Sequence, residues 1–457
     1  MNIHDRLQIM ANPQIIHKIN NLKTLLHQPV AGNPAIKFDQ AWEGNLSGYY
    51  TLLNDTALLR LYYRASRAII QTQTYTAYKV CYAYSKDNGA TWIKPKLGIY
   101  DYEGNKDNNI IWWKHKHHKD TCENFFPFID TNPDCLPDQK YKAIGGGTTK
   151  IYAMVSTDAI HWDWLSKDQK EAKPIIKRPG MKLDSQNTVL WHNTRKQYLL
   201  FHRNYRNIAA LTGRDIMITT SPDFHAWTDS VWLVYNHPLH CELYTNCIFP
   251  YIRNSDSLIG LTLRFHPERT LNVTKYSGLS DVTFMFSNDG HKWYHYNNVW
   301  LRPGTNQMRW GTRNNMMAVG SYKKNPQQLC FLSNEGYYNN LCFLREYHLR
   351  LDGFVSMHAD STRGDFTTVP LIFNGKYLII NYTTSALGYI KVEFQNELGI
   401  PIKDYTMEDC IEIYGDSIKH KVNWKKSGND VSNLSDTKII IRFKLFECDL
   451  YSFKFSN

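Results

Sequence analysis

Ser221-Pro222-Asp223-Phe224-His225-Ala226-Trp227 is the stretch that decides the fold, because it recurs. Ser156-Thr157-Asp158 leads to Trp162, and Ser287-Asn288-Asp289-Gly290 leads to Trp293. Ser85-Lys86-Asp87-Asn88-Gly89 leads to Trp92, with one extra residue before the Trp. Each copy follows a run of β-formers: Tyr78 to Tyr84, Ile151 to Val155, Ile216 to Thr220 and Val282 to Phe286. Ser and Asp side chains accept hydrogen bonds from backbone N–H groups just ahead of them and so fold a tight turn, in which Gly tolerates positive φ. The Trp opens the returning strand and is expected to be largely buried between neighbouring sheets. Each copy therefore reads as a hairpin tip at an outer rim, and Asp87, Asp158, Asp223 and Asp289 read as structural.

Successive motif serines lie 71, 65 and 66 residues apart. That exceeds the roughly 40–45 residues of a WD40 blade and suits a four-stranded blade with generous loops. A weaker echo, Ser333-Asn334-Glu335-Gly336, follows Leu329 to Leu332 and lacks the Trp. Five units fit between about Trp42 and Arg350. From Leu351-Asp352-Gly353 the repeat stops. There Ile390, Val392 and Phe394 alternate with Lys391, Glu393 and Gln395, and Ile441, Phe443 and Leu445 with Arg442 and Lys444, as in an antiparallel sandwich. The sequence thus predicts an all-β chain, a five-bladed β-propeller over 38–350 followed by a β-sandwich over 351–457. Ile15, Ile19, Leu22 and Leu26 fall at helical spacing, so residues 1–37 are expected to be a short amphipathic helix and a linker.

Composition narrows the function classes. The formal charge is +11, but basic residues are scattered and form no nucleic-acid motif, so no nucleic-acid partner is expected and only a mild preference for anions. Nine Cys with no C-x-x-C spacing argue for reduced thiols. No apolar run approaches the roughly 18–20 residues of a membrane span. His17, Lys18, Asn20, Asn21 and Lys23 interrupt the N-terminal apolar residues, leaving no signal-peptide core, and the expectation is cytoplasmic by default. The tract Trp112-Trp113-Lys114-His115-Lys116-His117-His118-Lys119 reads as a solvated loop, since its lysines oppose a cation. No metal and no cofactor are expected.

Chemistry is expected where first strands begin. Trp42-Glu43-Gly44 opens unit one, Phe125 to Asp134 unit two, Leu183-Asp184-Ser185-Gln186-Asn187 unit three, Cys241-Glu242-Leu243-Tyr244-Thr245-Asn246 unit four and Arg309 to Asn315 unit five. In a propeller the first strand of each blade lines the axis, so these residues converge on one mouth.

A five-fold propeller with such tips and a C-terminal sandwich resembles the invertase/fructanase glycoside hydrolases of family 32, and the propeller alone resembles the arabinanase/xylosidase group of family 43. The whole chain, over about 38–457, is similar to a bacterial branch of that superfamily. The resemblance is carried by Trp42-Glu43-Gly44, Phe128-Ile129-Asp130-Thr131-Asn132-Pro133-Asp134, Asp184-Ser185-Gln186-Asn187 and Leu243-Tyr244-Thr245-Asn246, with Leu351-Asp352-Gly353-Phe354-Val355-Ser356 and Asp449-Leu450-Tyr451-Ser452-Phe453 further on. It implies an axial funnel with three carboxylates: a nucleophile or base in blade one, a transition-state stabiliser in blade two and a general acid in a later blade. Glu43 and Asp130 match the first two by blade order, and Asp184 and Glu242 compete for the third. The family triplets are not kept: Trp42-Glu43-Gly44-Asn45 and Ile129-Asp130-Thr131 stand in the first two places, and the Glu falls in blade four as Glu242.

The resulting expectation is a glycoside hydrolase cleaving an oligo- or polysaccharide with two carboxylates, one protonating the leaving oxygen and one attacking or activating water. Arg203, Arg264 and Arg313 are expected to bind an anionic sugar or neutralise axial carboxylates, and Asn187 and His202 to bind hydroxyls. The alternatives are a non-catalytic carbohydrate-binding propeller and a sialidase, which would need six blades and a trio of axial Arg residues. The expected partner is a carbohydrate.

Overall fold

The computed structural model describes every residue except 57, 70–73, 115–118, 169–170, 209–210, 272–276 and 340. The histidines of the 112–119 tract therefore lie outside the described residues. Among the described residues the chain is strand and turn, with only short 3-10 turns as helix. It divides into two compact units: Pro29–Asn325 with Cys330–His348, and Met1–Gln28 with Pro326–Leu329 and Leu349–Asn457.

The first unit is the five-bladed propeller that the resemblance implies. From axis to rim, blade one is Gly48–Asp55, Leu58–Ala65, Lys79–Ser85 and Ile110–Trp112. Blade two is Phe126–Ile129, Tyr141–Gly145, Lys150–Ser156 and Asp163–Trp164. Blade three is Thr188–His192, Gln197–Ile208, Leu211–Ser221 and Val231–Trp232. Blade four has an inner strand in two pieces, Glu242–Thr245 and Ile248–Tyr251, then Asn254–His266, Leu279–Ser287 and Lys292–Leu301. Blade five begins at residues 316–319, where Ala318 N–H bonds Leu332 O at 2.8 Å, and continues through Gln328–Glu335 and Phe343–Arg350.

The outermost strand of blade five is Val30–Lys37, antiparallel to Phe343–Arg350 with Leu344 opposite Ile36. The expected linker is thus the strand that closes the ring. Pro34 misled the reading, yet Pro is tolerated on an edge strand, where one N–H has no partner to lose. At the axis the first and last blades meet directly: Val319 N–H bonds Tyr50 O and Leu52 N–H bonds Val319 O, both at 2.9 Å.

The four repeated turns share one geometry. Each Ser Oγ accepts a backbone N–H, from Gly89 (2.9 Å), Ala159 (2.8 Å), Asp223 (3.3 Å) and Gly290 (2.9 Å). Each Asp Oδ1 accepts an N–H further on, from Thr91, His161, Ala226 and Lys292. Thr91, through its hydroxyl and its N–H, holds the Asp87 carboxyl down at about 2. Three residues before each Trp the chain is left-handed, at Gly89, Ala159, Phe224 and Gly290, with φ of 80°, 67°, 69° and 73°. The extra residue of the first copy falls before that point.

These turns all join the third and fourth strands of a blade. Blade five takes its fourth strand from the other side of the sequence and has no such turn, so Ser333–Gly336, between its second and third strands, is a different structure. The turns seal the blades. Trp293 of blade four meets Phe201 of blade three edge-on at 6.0 Å, and Trp162 of blade two meets Tyr62 of blade one at 6.5 Å. Of the four Trp residues only Trp293 is buried; Trp92, Trp162 and Trp227 are half-buried, short of the burial expected.

In the second unit ten strands form one hydrogen-bonded network, built on the two 19-residue strands Tyr377–Gln395 and Lys438–Ser456. Its core includes Phe366, Phe373, Phe394, Phe443, Phe453 and Phe455. The expected N-terminal helix is absent. Ile16–Asn20 pairs with Gly364–Thr368, and Lys23–Leu26 pairs with Val355–Ala359. Asn21, left-handed at φ 52°, makes the turn between them. Ile19 is 41% exposed, so the apolar positions share no face. Pairing with distant strands overrides the local helical spacing, as tertiary context routinely does for short segments.

Trp293→Ala is expected to cost about 3–5 kcal/mol in urea denaturation, the range for truncating a buried aromatic, and Trp227→Ala distinctly less. Equal losses at both positions would contradict the burial described.

Candidate functional site

The beginnings of the inner strands are fastened to one another by buried amides and hydroxyls. Asn124 donates to Leu183 O and Ser185 O, both at 2.9 Å, and accepts from Gly146 N–H at 2.8 Å, tying blade two to blade three. Ser185 Oγ donates to Tyr244 O at 3.0 Å, and Thr188 Oγ1 to Asn246 Oδ1 at 2.9 Å, tying three to four. Asn315 Nδ2 donates to Ser280 O at 2.8 Å, joining five to four. Gln186 Nε2 reaches across to Tyr50 O of blade one at 3.0 Å.

This framework places a charged cluster at one mouth of the axis. Glu123 stands three residues before the inner strand of blade two, and Asp184 four before that of blade three. Asn124, bonded on both sides of Asp184, brings the two carboxylates to the same mouth. Glu123 lies 3.7 Å from Arg64 Nη1, with its side chain 27% exposed. Asp184, 48% exposed, accepts from Arg203 Nη2 at 2.5 Å. Burial pushes the Glu123 carboxyl up; Arg64 opposes this, Asp184 and Asp120 add to it, Arg313 opposes again, and the net shift is upward.

Aromatic rings hold the arginines. Arg64 is buried between Tyr49 and Tyr78, 4.5 and 4.8 Å from their centroids, and donates to Tyr337 OH at 2.8 Å. Arg203, Arg214 and Arg313 all lie around Tyr244, at 5.2, 5.3 and 5.4 Å. Burial alone would raise the Tyr244 phenol, but Arg313, Arg203, a bond from Tyr49 and Arg214 hold it below its usual range. Tyr49, Arg313, Asn315 and Tyr338 all take left-handed φ here, between 52° and 66°. Non-Gly residues in that region are uncommon and collect at functional sites.

The opposite half of the axis is different in character. A cavity of about 370 Å³ is lined by the later parts of all five inner strands, including Leu52, Phe128, Leu190, Phe249 and Val319. It is mostly apolar and holds no carboxylate.

The structure does not bring the four predicted carboxylates together. The Glu43 side chain is fully buried, accepting from Tyr63 OH at 2.5 Å, Lys94 Nζ at 2.7 Å and Gln40 N–H at 3.0 Å. Asp130 follows its inner strand instead of preceding it, and is sealed by Lys142 and by Tyr198 OH, the latter at 2.7 Å. Neither side chain is exposed to a substrate. Asp184 is at the mouth. Glu242, which pairs with Arg214 at 2.5 Å, is beside it.

Of the predicted binding residues, Arg203 and Arg313 belong to the cluster. Arg264 is committed to Asp281 through two bonds of 2.7 and 2.6 Å. His202 is buried on Ser230 Oγ at 2.9 Å, and burial pushes its imidazole down to about 4. Asn187 is buried and donates to Leu183 O, so neither it nor His202 meets a hydroxyl in solvent. Glu123 is a site residue that the sequence analysis does not single out. The rule that would have found it is its place just ahead of an inner strand.

Among the described residues one group has metal-ligand chemistry: Cys330, Glu346 and His348, in blade five. Lys324 Nζ at 2.8 Å and Tyr322 OH at 2.6 Å already occupy Glu346 Oε1. A cation there would face the ammonium, so these residues fit an ion-pair network better than a metal.

No protein-family model matches the chain, and no curated protein matches it. Among solved structures it is similar to a family 43 arabinoxylan arabinofuranohydrolase from Bacillus subtilis, at 10% identity over 94% of this chain and 99% of that one, TM-score 0.42. It is also similar to the catalytic domain of a family 62 α-L-arabinofuranosidase from Coprinopsis cinerea, at 7% identity over 71% and 97%, TM-score 0.43. A third is an α-L-arabinofuranosidase from Fusarium graminearum, at 12% identity over 73% and 99%, TM-score 0.38.

The raised Glu123 carboxyl has a stability signature. Its folded value lies above its ordinary 4.5, so the native state holds more protons in the window just above that pH. Stability from this group is therefore highest below 4.5 and declines as pH rises through the folded value. Glu123→Gln is expected to gain on the wild type across that window in urea denaturation run as a pH series. A gap independent of pH would contradict the shift.

Proposed function

We propose that the chain is a glycoside hydrolase whose two working carboxyls are Glu123 and Asp184. The observation that carries the reading is their contrast at one mouth: Glu123 held up by burial, Asp184 half-exposed and ion-paired to Arg203. A largely buried carboxyl and an exposed one in a single site provide an acid and a base. Glu123 donates its proton to the glycosidic oxygen as the C–O bond to the anomeric carbon breaks. Asp184 attacks that carbon or takes the proton of the water that does. Arg203 holds Asp184 in place at the mouth, and the buried rings of Tyr49 and Tyr244 hold the arginines around it.

One observation favours a binding module instead. Asp184 is engaged by Arg203 at 2.5 Å, and an occupied carboxylate is a poor nucleophile. Turnover of a broad oligosaccharide panel separates the readings. Cleavage is expected, with Glu123→Gln and Asp184→Asn each lowering kcat by about 10²–10⁴-fold. Binding without cleavage across the panel would favour the module. With cleavage, the rate falls as pH rises through the Glu123 value, because the acid must carry its proton.

Asp130→Asn leaves Lys142 buried without its partner and is expected to cost about 3–5 kcal/mol of stability, as breaking a buried pair does. Its kcat per folded molecule should hold. Loss of kcat in a folded Asp130→Asn protein would return that residue to the reaction.

A further inference from the structure

We propose that Arg313, with Arg203 and Arg214 around Tyr244, forms an anion subsite that takes the carboxylate of an acidic sugar. The inference rests on the hydrolase reading for its setting and names the substrate class of the same site.

Not every arginine at the mouth has a carboxylate within ion-pair distance among the described residues. Arg203 is answered by Asp184, and Arg214 by Glu242. Arg64 faces Glu123 across 3.7 Å. Arg313 has no carboxylate partner among the described residues; its hydrogen bond is to Tyr338 OH at 3.2 Å. The Nε–H groups of Arg64, Arg203, Arg214 and Arg313 are buried and find no acceptor among the described residues. A buried cation without a counter-charge is costly, and the cost is relieved when an anion arrives.

The geometry suits a planar anion. Three guanidiniums gather about one phenol ring, and the guanidinium fork matches a carboxylate with two parallel N–H···O bonds. Arg313 is held there by a left-handed backbone at φ 58° and by stacking on Tyr338 as well as Tyr244. The conformation is one an Arg avoids unless its surroundings fix it. The residues that follow it, Asn314 and Asn315, are both fully buried, with Asn314 Oδ1 accepting from Tyr337 N–H at 2.9 Å and Asn315 Nδ2 donating to Ser280 O at 2.8 Å.

The test is calorimetric titration of the full chain with matched oligosaccharide pairs: uronate-bearing oligomers, the same oligomers with their carboxyl groups reduced to alcohols, and a sulfated oligosaccharide of equal length. The wild type is expected to bind at least one acidic oligomer about tenfold or more tightly than its reduced counterpart, with an advantage that shrinks in high salt. Arg313→Gln should remove the advantage, and Arg313→Lys should keep the charge but lose most of it, since an ammonium lacks the fork. Equal binding of acid and alcohol in every pair overturns the subsite, whether or not the chain cleaves glycans. Preference for sulfate over uronate overturns the carboxylate assignment. Acid-selective binding without cleavage supports the subsite and counts against the hydrolase reading alone.

Discussion

The hydrogen bonds of Asn124 are the constraint on which the mouth depends. One amide spends both N–H groups on carbonyls of the next blade and its oxygen on an N–H of its own. Apart from the backbone bonds of Val319 to Tyr50 and Leu52 at the seam, hydrogen-bonded ladders run within a blade, so bridging side chains do much of the work of joining neighbouring inner strands. Ser185, Thr188, Asn246 and Asn315 repeat the tactic around the ring. Each such bond contributes about 0.5–1.5 kcal/mol, but an orphaned buried partner costs about 1–3 kcal/mol. The amides therefore fix register more than they add stability, and register is what puts Glu123 beside Asp184.

That division of labour explains the two characters of the axis. Where the inner strands begin, polar side chains bridge the blades and leave charged neighbours around them. Where they end, Leu52, Phe128, Leu190 and Val319 line the apolar cavity. Arginines tolerate the polar end because Tyr49, Tyr78, Tyr244 and Tyr338 supply ring faces, and Tyr337 and Tyr338 supply hydroxyl acceptors. A low-dielectric rim of this kind strengthens every electrostatic contact made inside it.

The fold was legible in the sequence where its chemistry is local. A Ser, an Asp and a left-handed residue three positions before a Trp make the same turn wherever they occur, so four blades announced themselves. The fifth did not, because its turn does not exist: its outer strand comes from Val30–Lys37. The same blindness turned Ile16–Asn20 and Lys23–Leu26 into an expected helix, since their partners lie more than 300 residues away. For the site, blade order led to Glu43 and Asp130, one plugged by Lys94 and the other at the wrong end of its strand. Asp184 and Arg313 were legible because they stand just ahead of an inner strand, whereas Arg203 lies within the second strand of blade three. Glu123 also stands just ahead of an inner strand, yet was not singled out.

Ring closure by Val30–Lys37 also has a consequence in time. On the ribosome this segment emerges early, and its partner Phe343–Arg350 follows some 300 residues later. At about 5–20 residues per second the wait is roughly 15–60 s. For that interval a strand-forming segment is without its partner, and the first blade is without its neighbour across the seam. Pro34 and Lys37 suit such a vigil, because a missing N–H and a charge both discourage pairing with stray strands. The propeller is thus a structure whose first-made piece is among the last to be used, and nascent chains halted before residue 343 should be its most aggregation-prone form.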